Sequence, residues 1–413
     1  MSSVLSIAAF YSSLHDYASV KSYLDEFLSI LSSSGLSKYY KGAFASKQEP
    51  ASSSNVVIYA ITGGTSSMIY RYAESARRAY VVYHEEHNSL ASASNAVAML
   101  RHRGVSAELI SIRDFADEAP SLYRAAKALE SLQGSSILVV GSLSQWVVDS
   151  GIVSALESQL KVKVEVVGFQ DLEKHVVQDS SIHQYVAGIL QGSSKVAVEH
   201  TYVEKAVQAL YALKSIARER GTSNLAVKCF DMLKLYGYTG CIALAELLRE
   251  GYVAACEADV QAAVVMRILR EVSKSDPWMG NVSHVSSGYL ELSHCTISRS
   301  LVKSYNLVTH FESGLPVSIE GVVEEGVAAT IVGYDALRKL WRVIEGVVAR
   351  GRPQSSKKCR TQVLFAVSPE ASRAILEDPI EGHYVVVFKN VFRDAVLAGE
   401  LAGMTVEAYP LKA

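Results

Sequence analysis

The sequence predicts an α/β protein, with two Rossmann-like α/β domains followed by a β-barrel-like C-terminal domain. Three observations carry that expectation. Buried-strand patterns alternate with helical ones over the first 170 residues, and the alternation resumes from 171 to 296. From 297 onward helical signal thins, and short β-rich runs are punctuated by glycines. The corresponding bounds are 1–170, 171–296 and 297–413.

In the first region, 4–10, 56–61, 79–83, 107–112, 137–141 and 162–167 read as buried strands, because each is a short apolar run and several of the intervening segments have helical spacing. The stretch 46–55, rich in serine around Pro50, reads as an exposed loop. In the second region the expected order is an amphipathic helix at 204–220, a strand at 224–230, a helix at 241–249, a strand at 252–256 and a helix at 260–274. Strands at 277–282 and 289–293 complete what reads again as a βαβ pattern. In the third, Gly314, Gly321, Gly326, Gly333 and Gly346 break up β-rich runs, and helices return only near 334–341, 369–377 and 391–403.

Composition excludes several function classes. With 49% hydrophobic and 20% charged residues the 413-residue chain can bury large cores, so it is not an extended disordered protein. Forty basic against forty-two acidic residues leave a formal charge of −2, with no long basic run, which argues against a nucleic-acid partner. The longest apolar stretches are strand-sized, short of the ~20 residues that cross a bilayer, so no membrane partner is expected. The first ten residues lack a basic n-region, and the five cysteines form no CxxC or CxxH pair; both point to a cytoplasmic protein in a reducing compartment.

The segment Ala254-Ala255-Cys256-Glu257-Ala258-Asp259 carries the clearest chemical signal. A buried strand ends in two carboxylates and passes into a helix, which puts Glu257 at the carboxyl end of a strand, where open α/β sheets place ligands. Asp259 reads as the helix N-cap. Glu257 has no such duty, and a carboxylate there is costly unless it is paired, hydrogen-bonded or metal-bound. Downstream, Asn281, His284 and His294 also lie at or near strand ends and could converge with Glu257 on one sheet edge. His383 precedes a strand of the last region and, taken alone, reads as a loop histidine. The loop Thr62-Gly63-Gly64-Thr65-Ser66 could present amides to an anion but more often reflects tight packing. His84-Glu85-Glu86-His87 misses the HExxH metal pattern and reads as a polar loop and helix cap.

Taken with Val227-Lys228-Cys229-Phe230, Leu292-Ser293-His294-Cys295-Thr296, Thr309-His310-Phe311-Glu312-Ser313-Gly314 and Gly382-His383-Tyr384-Val385, the chain resembles the L-fucose isomerase-like family, with L-arabinose isomerases as more distant kin. The Gly63-Gly64-Thr65 loop and Asn88-Ser89-Leu90 are also similar to that family. The resemblance implies a metal-dependent aldose–ketose isomerase acting on a monosaccharide, with homo-oligomeric assembly and active sites between subunits. It implies a divalent metal, usually Mn2+, held by a Glu, an Asp and a His. Glu257 and His383 match two of these, and Asn281 stands where the family has its Asp. The implied site is therefore Glu257 and Asn281 for catalysis, Glu257, Asn281 and His383 for the metal, and Lys228, His294 and His310 for the sugar. An Asn keeps an oxygen for a hard cation but carries no charge and shuttles no proton. Cys229, Cys256 and Cys295 are expected to pack as small hydrophobes beside the site. Two other readings stay open: a sugar-binding protein that kept the fold after losing a ligand, and an epimerase or lyase using the same enediol chemistry.

Overall fold

The structure is a computed structural model that describes residues 3–143, 150–176 and 180–411. It divides into two compact units, 1–130 and 131–413. In the first, β1 (Ser6–Phe10), β2 (Tyr40–Phe44), β3 (Asn55–Ala60), β4 (Arg78–Tyr83) and β5 (Ser106–Ser111) form one parallel sheet ordered β2-β1-β3-β4-β5. β1 and β3 are buried along their whole length, as the apolar runs require of parallel strands covered by helices on both faces. The first covering helix, Tyr17–Ser34, is capped by Asp16, which accepts the Ser19 amide at 2.7 Å, and it ends at Gly35 with φ 86°. β2 was not anticipated from sequence. It is a half-buried edge strand around Gly42, with no apolar run to mark it.

The second unit opens with β6 (Ser136–Val140), β7 (Lys163–Val167), β8 (Lys195–Val196), β9 (Asn224–Val227) and β10 (Val253–Cys256). Four of these make a second parallel sheet ordered β10-β9-β6-β7. The chain works outward from β6 to β7 and returns beside β6 with β9, so the carboxyl ends of β6 and β9 flank a topological switch point. Then come β11 (Trp278–Ser286), β12 (Tyr289–His294), β13 (Ser304–Thr309), β14 (Pro316–Val322), β15 (Ala328–Asp335), β16 (Leu340–Arg350), β17 (Thr361–Val367), β18 (Tyr384–Val387) and β19 (Thr405–Tyr409).

Six of these strands close a barrel in the order β15-β18-β11-β12-β17-β16, antiparallel at every seam, with β16 returning to pair with β15. β19 adds in parallel to β16, and β14, β13 and β8 form a separate small sheet. Trp278, Leu292, Ile331, Ile344, Phe365 and Val386 belong to the buried cluster at the barrel. The predicted α/β class with a C-terminal barrel is therefore what the chain adopts.

Three local readings are corrected. β11 and β12 are antiparallel staves of the barrel rather than βαβ strands. Only Ser287 and Gly288, the latter at φ 79°, link them, and a link that short cannot make a parallel crossover. The helix expected near 334–341 is instead the hairpin joining β15 to β16, with Lys339 at φ 53°. The strand expected over 224–230 stops at Val227, because Cys229 already opens a helix. No helix among the described residues is long and apolar enough to cross a membrane.

The helix Phe392–Ala402 lies against the barrel at Gly399, where an added methyl would stand 2.4 Å from Trp341 Cδ1. Trp341 is held by its indole N–H to Ala395 O at 2.9 Å and cannot retreat without losing that bond. Gly399→Ala is expected to destabilise by about 1–3 kcal/mol through overpacking, read as a fall in denaturation midpoint at unchanged slope.

Candidate metal centre

The carboxyl end of the second parallel sheet and one end of the barrel belong to the same compact unit, and they meet at Glu257. β10 ends at Cys256, and the next two residues, Glu257 and Ala258, both adopt left-handed backbone at φ 57° and 53° before Asp259 caps the helix Val260–Ser273. Two successive non-glycine residues in that region cost about 1–2 kcal/mol each, so the turn is held by its surroundings. From the barrel, Gly280 pairs with Tyr384 between β11 and β18, so Asn281 and His383 are the next positions along the two strands. On the other side of β11, Asn281 pairs with Ser293 on β12, whose last residue is His294. Three adjacent staves thus present Asn281, His294 and His383 to the turn that carries Glu257.

Glu257 Oε1 lies 3.7 Å from His294 Nε2 and 3.7 Å from His383 Nε2, and one ligand atom from each of the three residues falls within 4.8 Å of the others. His383 Nδ1 is 2.9 Å from Asp259 Oδ2, while Asp259 Oδ1 accepts the Ala262 amide at 2.8 Å. The residue read from sequence as a helix cap therefore also orients a histidine with its second oxygen. A carboxylate behind an imidazole is the support that metal-binding histidines ordinarily have.

Electrostatics agree with the geometry. Burial works against a charged Glu257, yet the His294 and His383 rings outweigh it and hold the carboxyl well below its usual range. Burial also works against a charged His383, but Asp259 and Glu257 on either side raise it to about 9. His294 is 2% exposed, and neither of its ring nitrogens makes a hydrogen bond among the described residues; the nearest carboxylate is past hydrogen-bond length. An orphaned buried imidazole beside a carboxylate and a second imidazole fits a divalent cation, and two histidines with one carboxylate is a recognised donor set for catalytic metals.

A cavity of about 140 Å³ opens on this cluster, lined among others by Glu257, Asn281, His294 and His310. The structure thus brings together five of the six residues expected from sequence, His383 through its contact with Glu257. Lys228 stands at the switch point, where its ammonium donates to Ser142 Oγ at 2.8 Å and Leu143 O at 3.3 Å, and the described lining does not include it. His284 is exposed on β11. His84, in the first unit, donates from Nε2 to Ile61 O at 2.8 Å and accepts the Glu86 amide on Nδ1, which occupies both nitrogens within a polar loop. In the Gly63-Gly64 loop, a methyl on Gly63 would stand 2.9 Å from Asn88 Cβ, so close packing requires that glycine.

Sequence reasoning missed the pairing of Cys295 with His310. The Cys295 thiol is drawn below its ordinary range chiefly by Cys359 and also by His310, against the effect of burial. The Cys295 partnership correspondingly raises His310, again against burial. Nothing in the spacing of these residues marks the contact, which depends on how β12, the β13–β14 turn and the segment before β17 come together.

No protein-family model matches the chain. A sulfoquinovose isomerase of Alkalicoccus urumqiensis is 32% identical to it over 97 residues, which cover 22% of this chain and 22% of that protein. The chain therefore matches about a fifth of that relative's length. That relative is a sugar isomerase, so the expected resemblance to sugar isomerases is met in part, over that stretch of the chain.

Proposed function

We propose that the chain is a metal-dependent aldose–ketose isomerase acting on an open-chain monosaccharide through an enediol. The observation that carries this reading is the convergence of Glu257, His294 and His383 on one point beside a small cavity, with His294 buried and making no hydrogen bond among the described residues. The partial likeness to a sugar isomerase supports the substrate class. Glu257, His294 and His383 would hold the cation, with the Asn281 carbonyl oxygen as a neutral neighbour. A divalent ion held by these residues would supply electrostatic stabilisation of the negative charge that develops on the substrate. Glu257 takes the proton from the carbon next to the carbonyl and returns it to the neighbouring carbon on the same face, so one carboxylate serves both half-steps. Asp259 fixes the His383 ring. His310, which lines the cavity, faces the sugar, and Lys228 holds Ser142 and Leu143 at the switch point. Assembly as a cytoplasmic homo-oligomer with sites between subunits, and Mn2+ as the ion, belong to the same proposal. Two imidazoles beside one carboxylate should rank Zn2+ and Co2+ above Mn2+ in affinity.

Calorimetric titration of metal-free protein with Mn2+ and Zn2+, followed by a panel of pentoses, hexoses, deoxyhexoses and sulfoquinovose, tests the reading. Micromolar or tighter binding and turnover of at least one sugar are expected. Asn281→Asp should tighten metal binding by roughly tenfold or more, because it adds a full charge beside the ion. Binding seen only in that variant would instead favour the sugar-binding reading, for which Asn281 is the specific argument. Asp259→Asn preserves a good N-cap but removes the carboxylate behind His383. It should lower metal affinity about 10–100-fold.

A further inference from the structure

All five cysteines of the chain, Cys229, Cys241, Cys256, Cys295 and Cys359, line the one cavity that opens on Glu257. Besides Cys295 and Cys359, Cys229 and Cys256 are in contact. Cys256 ends β10 opposite Val227 of β9, and Cys229 is the first residue of the helix that follows β9, so adjacent parallel strands bring the two Sγ atoms to 2.8 Å. A disulfide bond is about 2.05 Å long, so roughly 0.8 Å of side-chain movement joins them.

We infer that Cys229 and Cys256 form a reversible oxidation site, converted by small-molecule disulfides into an intramolecular disulfide that controls the adjoining cavity. Both thiols line the cavity, which gives a small reagent its approach. Cys229, the first residue of its helix, gives its proton to solvent. It attacks one sulfur of the reagent and releases the first small thiolate. Cys256 then gives its proton to solvent, attacks the Cys229 sulfur of the mixed disulfide and releases the second. Two protein thiols are oxidised, and one small disulfide is reduced to two thiols. Control of the site rests on the metal-centre reading above: Cys256 is the immediate neighbour of Glu257, whose φ of 57° leaves its backbone little freedom to adjust to a new tie.

The full-length protein is treated with hydroxyethyl disulfide, its remaining thiols are alkylated, and it is digested for mass spectrometry. A linked pair of peptides containing Cys229 and Cys256 is expected, with two hydrogens lost, reversal by excess thiol, and three thiols left to alkylate. Cys229→Ser should abolish the link and Cys359→Ser should retain it. Five alkylated thiols, a mixed disulfide alone, or a link confined to Cys295 and Cys359 would overturn the inference. Titration with Zn2+ of reduced and oxidised samples reads the control, with affinity expected to fall about 10–100-fold on oxidation, the range for a perturbed ligand support. Equal affinity in the two samples would overturn the control. A reduced protein that binds no metal counts against the proposed function, whereas the mass measurement decides the oxidation site independently.

Discussion

Glu257→Gln is expected to abolish sugar isomerisation and to weaken metal binding by about a thousandfold. The variant keeps the size and backbone of the side chain but removes the one negative charge between His294 and His383. A unit charge at contact distance from a dication contributes on the order of 4 kcal/mol or more at an effective dielectric near 20, and each 1.4 kcal/mol is a factor of about ten. The amide also cannot take a proton from carbon, so excess metal should not rescue turnover. A companion substitution separates function from fold. Glu257→Gly removes the steric cost of φ 57°, so that protein should be as stable as the natural one or more so, while equally inactive. Turnover retained by the Gln variant would remove Glu257 as the base. A clear loss of stability in the Gly variant would show that the carboxylate serves the fold rather than the chemistry.

The second large effect lies away from the cavity, at Glu246 on the helix Cys241–Arg249. Its carboxylate is fully buried and accepts from Arg249 Nε at 2.7 Å, Arg299 Nη2 at 2.9 Å and Tyr185 OH at 2.8 Å, with Arg299 Nε on its other oxygen. Burial alone would raise its pKa, but Arg299 first, then Arg249 and Tyr185, bring it below the ordinary value. Glu246→Gln strands two guanidinium groups and should cost about 3–5 kcal/mol. The pH dependence has a definite sign. A carboxyl with a lower pKa folded than unfolded stabilises fully above its unfolded value of about 4.3, and this contribution is lost as pH falls through the folded value. Denaturant midpoints of the natural protein should therefore fall below about pH 4.3, with a weaker dependence in Glu246→Gln. Parallel curves for the two proteins would show that Glu246 does not carry the acid sensitivity.

Much of this architecture is legible in the sequence, and the reasons it stops being so are physical. β1, β3, β4 and β6 announce themselves because a parallel strand covered on both faces must be apolar throughout. β2 does not, because an edge strand has no such requirement. Glu257 stands out because a carboxylate directly after Val-Ala-Ala-Cys demands a partner, whereas His294 at the end of β12 looks like many strand-end histidines. Its place beside Glu257 follows from the β11–β12 hairpin and from the pairing of β11 with β18, the latter a contact between segments about a hundred residues apart. Asp259 was readable as a cap, since that role is local, but its hold on His383 is not. The convergence of five cysteines has the same origin: their spacing is unremarkable, and only the tertiary arrangement gathers them.

The position of β18 sets the order in which this protein can be completed. Its four residues, Tyr384–Val387, fill the gap between β11 and β15, strands made long before it. A chain still emerging from the ribosome can form β11, β12, β17, β16 and β15 as a curved sheet, but with two open edges. Those edges stay unpaired until Val387 has been synthesised, and His383 arrives with the same segment. Closing the barrel and completing the cluster around Glu257 are thus one event, which follows the synthesis of β18, so a chain that stops short of it carries neither a sealed barrel nor a full set of donors.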